Sequence, residues 1–214
     1  MSFSAQHKLM AWLSPSYPIG AFSYSHGLEH AIENGDVINA AHLRDWLADV
    51  LQFGSGRNDA ILLSLAYKAQ TDDRLSELTE LTEALCPSAE RYLETTAQGR
   101  AFCKVTSDVY GTDLPSLPLP VAIGAAASDE GMDLADVLPL YLHSFVANII
   151  SAGVRFIPIG QTEGQKVLDE LFDVIEDVAK AAMTSNETEL GSACFLGDIA
   201  SMKHAVMTTR IFRT

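Results

Sequence analysis

The most chemically suggestive spacing in the chain is His26-Gly27-Leu28-Glu29-His30. On a helix, residues four apart share a face, so the two imidazoles would converge with Glu29 beside them. This is the His-x-x-Glu-His order of inverted zinc proteases, in which the histidines hold the metal and the glutamate is the general base. Two features weaken it. The third ligand, a downstream acid, constrains nothing in a chain with 28 Asp and Glu residues. Gly27 inside the pattern also makes a loose platform for rigid ligands. The competing reading is a polar helix face near the surface. Ser23-Tyr24-Ser25-His26-Gly27 faintly echoes a Gly-x-Ser-x-Gly nucleophile elbow, but that turn needs a strand before it and a sheet around it. No Gly-x-x-x-x-Gly-Lys-Ser/Thr loop occurs, which argues against P-loop nucleotide hydrolysis. Cys86, Cys103 and Cys194 are scattered and form no Cys-x-x-Cys pair, so they suit a reducing compartment and build neither a disulfide framework nor a zinc site.

The elements that would position these residues are legible. Pro15 and Pro18 hold Ser14 and Tyr17 extended, so no helix runs through them. Gly20 allows a turn, and Ser23 or Ser25 can cap the helix that follows. Tyr24, Leu28, Ala31 and Ile32 form its apolar face, with His26, Glu29, His30 and Glu33 as a polar stripe, up to Asn34-Gly35. Apolar periods of helical type recur along the rest of the chain. They predict helices over Ala5–Leu13, from Asn39 to Gly54, from Asn58 or Asp59, over Asp72–Leu85, Ala89–Ser107, Val121–Ser128 and Asp133–Ser151, then Thr162–Met183 and a final segment. The small residues of Val121–Ser128 would let another backbone come close. His143 reads as a core histidine. No period-two strand and no repeat is present. The expectation is an all-α fold, a single globular domain over residues 1–214 with roughly eight to ten helices.

Charge narrows the function. The net charge is −14, which argues against nucleic acid or an anionic membrane as partner. All 28 acids lie between Glu29 and Asp198 with only 10 of the basic residues, a net −18 there. A basic tail at about 203–214 holds Lys203, Arg210 and Arg213 and no acid. Nothing at the N-terminus reads as a secretion signal, and the apolar run Val137–Ile150 is broken by Pro139, His143 and Asn148. The expected location is cytoplasmic.

The segment Pro18-Ile19-Gly20 to Ser25-His26-Gly27-Leu28-Glu29 resembles the signature of the UreF family of urease accessory proteins. The resemblance extends through Gln98-Gly99, Pro120 to Gly124, Asn148 to Gln165, Asp198 to His204 and the ending Arg210-Ile211-Phe212-Arg213-Thr214. Where relatives often have His-Glu-Thr-Gln, this chain has His204-Ala205-Val206-Met207. The resemblance implies an all-α, dimeric, non-enzymatic protein that needs no cofactor. It would bridge a UreD/UreH-type protein and the GTPase UreG during nickel insertion into the urease apoprotein, and modulate the GTPase. Interfaces favour aromatic and Arg anchors. The partner-binding residues expected on this basis are Pro18, Gly20, Phe22, Ser23, Tyr24, Ser25, Gly27, Glu29, Gln161, Gly164, Lys203, His204, Arg210, Phe212 and Arg213. The tail is expected to order beside Pro18–Gly27. The alternative is a metal-dependent hydrolase using His26, Glu29 and His30.

Overall fold

The computed structural model describes residues 2–213; Met1 and Thr214, the last residue of the terminal motif, lie outside the described residues. Among the described residues there are eleven α-helices and no strand. They are α1 (Phe3–Trp12), α2 (Leu28–Glu33), α3 (Ala40–Phe53), α4 (Ser55–Tyr67), α5 (Asp72–Ala84) and α6 (Ala89–Tyr110). The second half holds α7 (Leu119–Asp129), α8 (Leu134–Gly153), α9 (Gln161–Glu170), α10 (Phe172–Thr184) and α11 (Phe195–His204). The all-α expectation holds, with one helix added because the stretch over 162–183 bends at Leu171. That residue is buried and no proline or glycine marks it. The bend seats α9 on α3 and α8 and α10 on α8, α4 and α3, while the apolar period runs through unbroken.

Helix starts follow their caps. The side chains of Asn39, Thr71, Ser88 and Asp133 each accept from a backbone N–H in the first turn of α3, α5, α6 and α8. At Gly54 the chain passes directly from α3 into α4, so α4 begins at Ser55, ahead of the expected Asn58.

The core is centred on α4 and α7, which bury nine and eight residues respectively. Their backbones nearly touch: a Cβ on Gly124 would lie 2.4 Å from the Leu63 carbonyl oxygen. Helix α8 is long and apolar enough to cross a membrane. Ten of its twenty residues are buried, and it packs on α2, α3, α4, α9 and α10. His143 departs from the core role expected of it. It lies on the outer side of α8 near exposed Leu140, its ring 5.9 Å from Phe172. This framework carries α2, α6 and α11 to one place, where the two acid-free ends of the chain meet.

Candidate functional site

The loop before α2 is shaped by backbone that few residues tolerate. Gly20 has φ +75° and starts a single 3-10 turn, Ala21–Ser23. His26 and Gly27 follow in succession with φ +58° and +77°. For histidine that conformation is uncommon and costs energy. Gly27 itself is the N-cap of α2, so neither serine caps the helix as expected; Ser25 Oγ accepts only a long bond, 3.4 Å, from the Glu29 N–H. A Cβ on Gly27 would stand 2.8 Å from the backbone nitrogen of Ser201. Only glycine lets α11 lie this close on the start of α2.

That contact delivers His204, the last residue of α11, between two buried carboxylates. His204 Nε2 is 2.9 Å from Glu29 Oε2, and Nδ1 is 2.8 Å from Glu90 Oε2. The ring is 0% exposed. The chain then turns back. The N–H groups of Ile211 and Phe212 donate to Glu29 at 2.8 and 3.0 Å, and Arg210 donates to Glu90 Oε1 at 2.8 Å. One step further, the Arg213 N–H donates to the Ser23 carbonyl at 2.8 Å. Phe212 is buried against Phe156, centroids 5.5 Å apart, with the Arg155 guanidinium 5.7 Å from its ring centre. Burial opposes charge on Glu29, yet bonds from His204, Phe212 and Ile211 outweigh it and hold the carboxyl below the usual glutamate value. The Tyr24 hydroxyl is pushed up by burial and then by Glu94, with a hydrogen bond from Arg213 pulling the other way.

The residues expected to form a site therefore divide. Ser23, Tyr24, Gly27, Glu29, His204, Arg210, Phe212 and Arg213 come together. Pro18, Phe22 and Lys203 are exposed around that junction's own elements, and Ser25 is buried beneath them. Gln161 is exposed at the start of α9, whereas Gly164 is buried, its Cβ position 2.9 Å from Val154 Cγ1. Gly164 is thus a packing residue between α9 and the end of α8. The basic tail also starts later than expected, since Lys203 and His204 belong to the last turn of α11.

The hydrolase pattern does not assemble. His26 precedes the helix in left-handed backbone, so the two histidines are not a helical i, i+4 pair, and Glu29 is occupied by the tail. His26 instead joins a network that periodicity does not reveal. Its Nδ1 is 3.2 Å from Glu94 Oε2, and its Nε2 bonds Ser55 Oγ at the start of α4. Arg91, buried, reaches Asp59 at 2.6 Å and Glu94 at 3.6 Å, while the Tyr141 hydroxyl donates to Asp59 at 2.9 Å. Burial works against the guanidinium charge, but Asp59 and Glu94 hold it protonated. The Glu94–His26–Ser55 line has the connectivity that activates a serine nucleophile. The cavity beside it, bounded by Val50, Pro87, Cys194 and Gly197, is only about 10 Å³. That is the space of one water, with no room for a substrate. The network is a strut tying the loop to α4, α6 and α8. Replacing Arg91 with alanine would take the cation from two buried carboxylates and is expected to cost about 3–5 kcal/mol, read by denaturant unfolding.

Outside the junction, α11 presents Phe195, Leu196, Ile199, Met202 and, just past its end, Val206, all 45–79% exposed. Ile211 on the tail and Phe22 on the loop are also exposed, at 73% and 64%. Monomers rarely leave so much apolar surface together unless another molecule covers it. Lys203, Arg210 and Arg213 give this region its positive charge, and none of its residues from 199 on is acidic.

A family model for UreF matches residues 37–172. The chain is 50% identical over 206 residues to the urease accessory protein UreF of Cereibacter sphaeroides, covering 96% of this chain and 97% of that protein. It is 45% identical over 214 residues to the protein of that name from Roseobacter denitrificans, covering 100% and 96%. The Ruegeria pomeroyi protein of that name is 44% identical over 206 residues, covering 96% and 95%.

Proposed function

This chain belongs to the UreF family of urease accessory proteins, and on that premise we propose that it acts as a non-enzymatic scaffold in urease maturation. It bridges a UreD/UreH-type protein and the GTPase UreG on the route that delivers nickel to the urease apoprotein, and modulates that GTPase. One observation carries the reading. The tail is clasped onto Glu29 and Ser23, so that α11, the tail and the Pro18–Gly27 loop form one apolar, cationic surface on an otherwise acidic body. A surface of this kind suits a partner with an apolar groove and an acidic rim. The groove between α1 and α8, edged by exposed Met10 and Leu140, supports a homodimer. The setting is the cytoplasm, where the nickel enzyme is assembled.

Co-expression with a UreD/UreH-type protein and UreG, followed by size-exclusion chromatography, tests the proposal. A co-eluting complex is expected, and Phe195→Asp with Leu196→Asp should dissociate it without loss of helicity. Separate elution of the three wild-type chains would overturn it.

A further inference from the structure

Beneath the Pro18–Gly27 loop, α1, α4, α6, α7 and α8 surround a cavity of about 50 Å³. Ile19, Ala21 and Tyr24 line it from the loop, and Ile123, Phe145 and Ile149 add apolar lining from α7 and α8. Polar groups line it as well. Some are satisfied within the chain: Arg91 and the Tyr141 hydroxyl both donate to Asp59. Others are not. Trp12, which ends α1, is 1% exposed, and its Nε1–H is buried with no acceptor among the described residues. Gln98 is buried too, yet of the four hydrogen bonds its amide can make it forms one, to Glu94 at 3.4 Å. Asn148 of α8 adds a second amide to the lining.

A buried N–H without an acceptor is desolvated with no compensation, which native structures rarely leave uncorrected. A cavity stays dry when its walls are apolar, whereas one with several donors and acceptors holds water. We propose that this cavity binds a cluster of about three to five ordered water molecules, taking roughly 10–15 Å³ for each, and that one of them accepts from Trp12 Nε1–H. The amides of Gln98 and Asn148 supply further donors and acceptors, so the cluster links α1 to α6 and α8. The loop is then held in two different ways. On one side the Arg213 N–H donates to the Ser23 carbonyl; on the cavity side the loop lies over water. Waters rearrange where close-packed side chains cannot, so the loop carrying Phe22 can shift when a partner docks without leaving a void. That consequence rests on the scaffold reading above; the hydration itself is a property of the isolated chain.

Water-selective NMR on the full ¹⁵N-labelled chain tests the inference. The chain has two tryptophans, so Trp46→Phe identifies the Trp12 indole signal. A cross-peak between the Trp12 indole proton and water is expected. Its NOE and ROE should be opposite in sign, the mark of a molecule held longer than the protein takes to tumble. Xenon supplies the second arm, since it enters dry apolar cavities. Saturating xenon should leave the methyl signals of Ile123 and Ile149 unmoved. Absence of the water cross-peak would overturn the proposal, as would xenon shifts at those methyls. So would an indole proton shifted by the ring current of Phe102, whose centre is 5.4 Å from that of Trp12, because the N–H would then be spent on that ring. A hydrated cavity in a chain that captures no partner would keep this inference and sink the scaffold reading.

Discussion

Replacing Gly124 with alanine is expected to destabilise the protein by about 2 kcal/mol net, and with valine to prevent folding. Alanine at a helix interior normally gains about 1 kcal/mol over glycine. Here the added Cβ would lie 2.4 Å from the Leu63 carbonyl oxygen and 3.0 Å from Ala66 Cβ. The first of these is backbone, so it cannot swing aside; α4 and α7 must part along the most closely packed seam of the core. Overpacking of this kind costs about 3 kcal/mol, which outweighs the propensity gain. In a chain of this size the net loss corresponds to roughly 4–8 °C in Tm, measurable by circular dichroism. Gly99 makes the same argument more severely, since its Cβ would lie 2.0 Å from the Leu117 carbonyl oxygen. Unchanged melting of Gly124→Ala would mean that the two helices do not touch as described.

Deleting Arg210–Thr214 is expected to abolish capture of a UreD/UreH-type partner while most of the helicity survives. The truncation removes Arg210, Phe212 and Arg213, together with the two N–H donors to Glu29. Stability should not be untouched. Phe212 is buried and Glu29 would lose two of its hydrogen-bond donors, so a loss of about 1–3 kcal/mol is anticipated. A weaker truncation separates the two effects. Phe212→Ala keeps the backbone donors and should reduce capture more than it reduces Tm. Full capture by the truncated chain, in a pull-down at matched concentrations, would refute the role assigned to the tail.

Glu29 shows how far the sequence could be read. Its helix, its place on a polar stripe and its neighbourhood to the Pro-rich loop were all legible, because prolines and glycines punctuate the chain there. Its burial was not. A carboxylate on a short helix reads as solvated, and the groups that satisfy it lie 175 to 183 positions away. Glu90 was missed for the same reason, being one of 28 acids with nothing local to distinguish it. Asp59, Arg91, Glu94 and Tyr141 were likewise hidden, since pairing across three helices leaves no periodic trace. Helical faces and caps depend on neighbours within a few residues, whereas buried charge depends on partners that only the fold supplies. The tail was expected beside the loop from the family resemblance together with the acid-free ends, as part of a partner surface; the structure seats it there on Ser23, Glu29 and Glu90, and charge alone had left open whether it folds back.

The clasp also has a kinetic meaning. Contacts between residues some 180 positions apart close a very long loop, while the α4–α7 seam joins residues within about one third of the chain. Entropy favours forming the nearer pairings first, so the docking of α11 and the tail should be among the last events of folding. Until then the seat of Phe212 beside Phe156 and the face of α2 that α11 covers stand open on a nearly complete molecule. Crowded, slowly refolding preparations should therefore lose material to self-association at this step, and added partner protein should improve the yield.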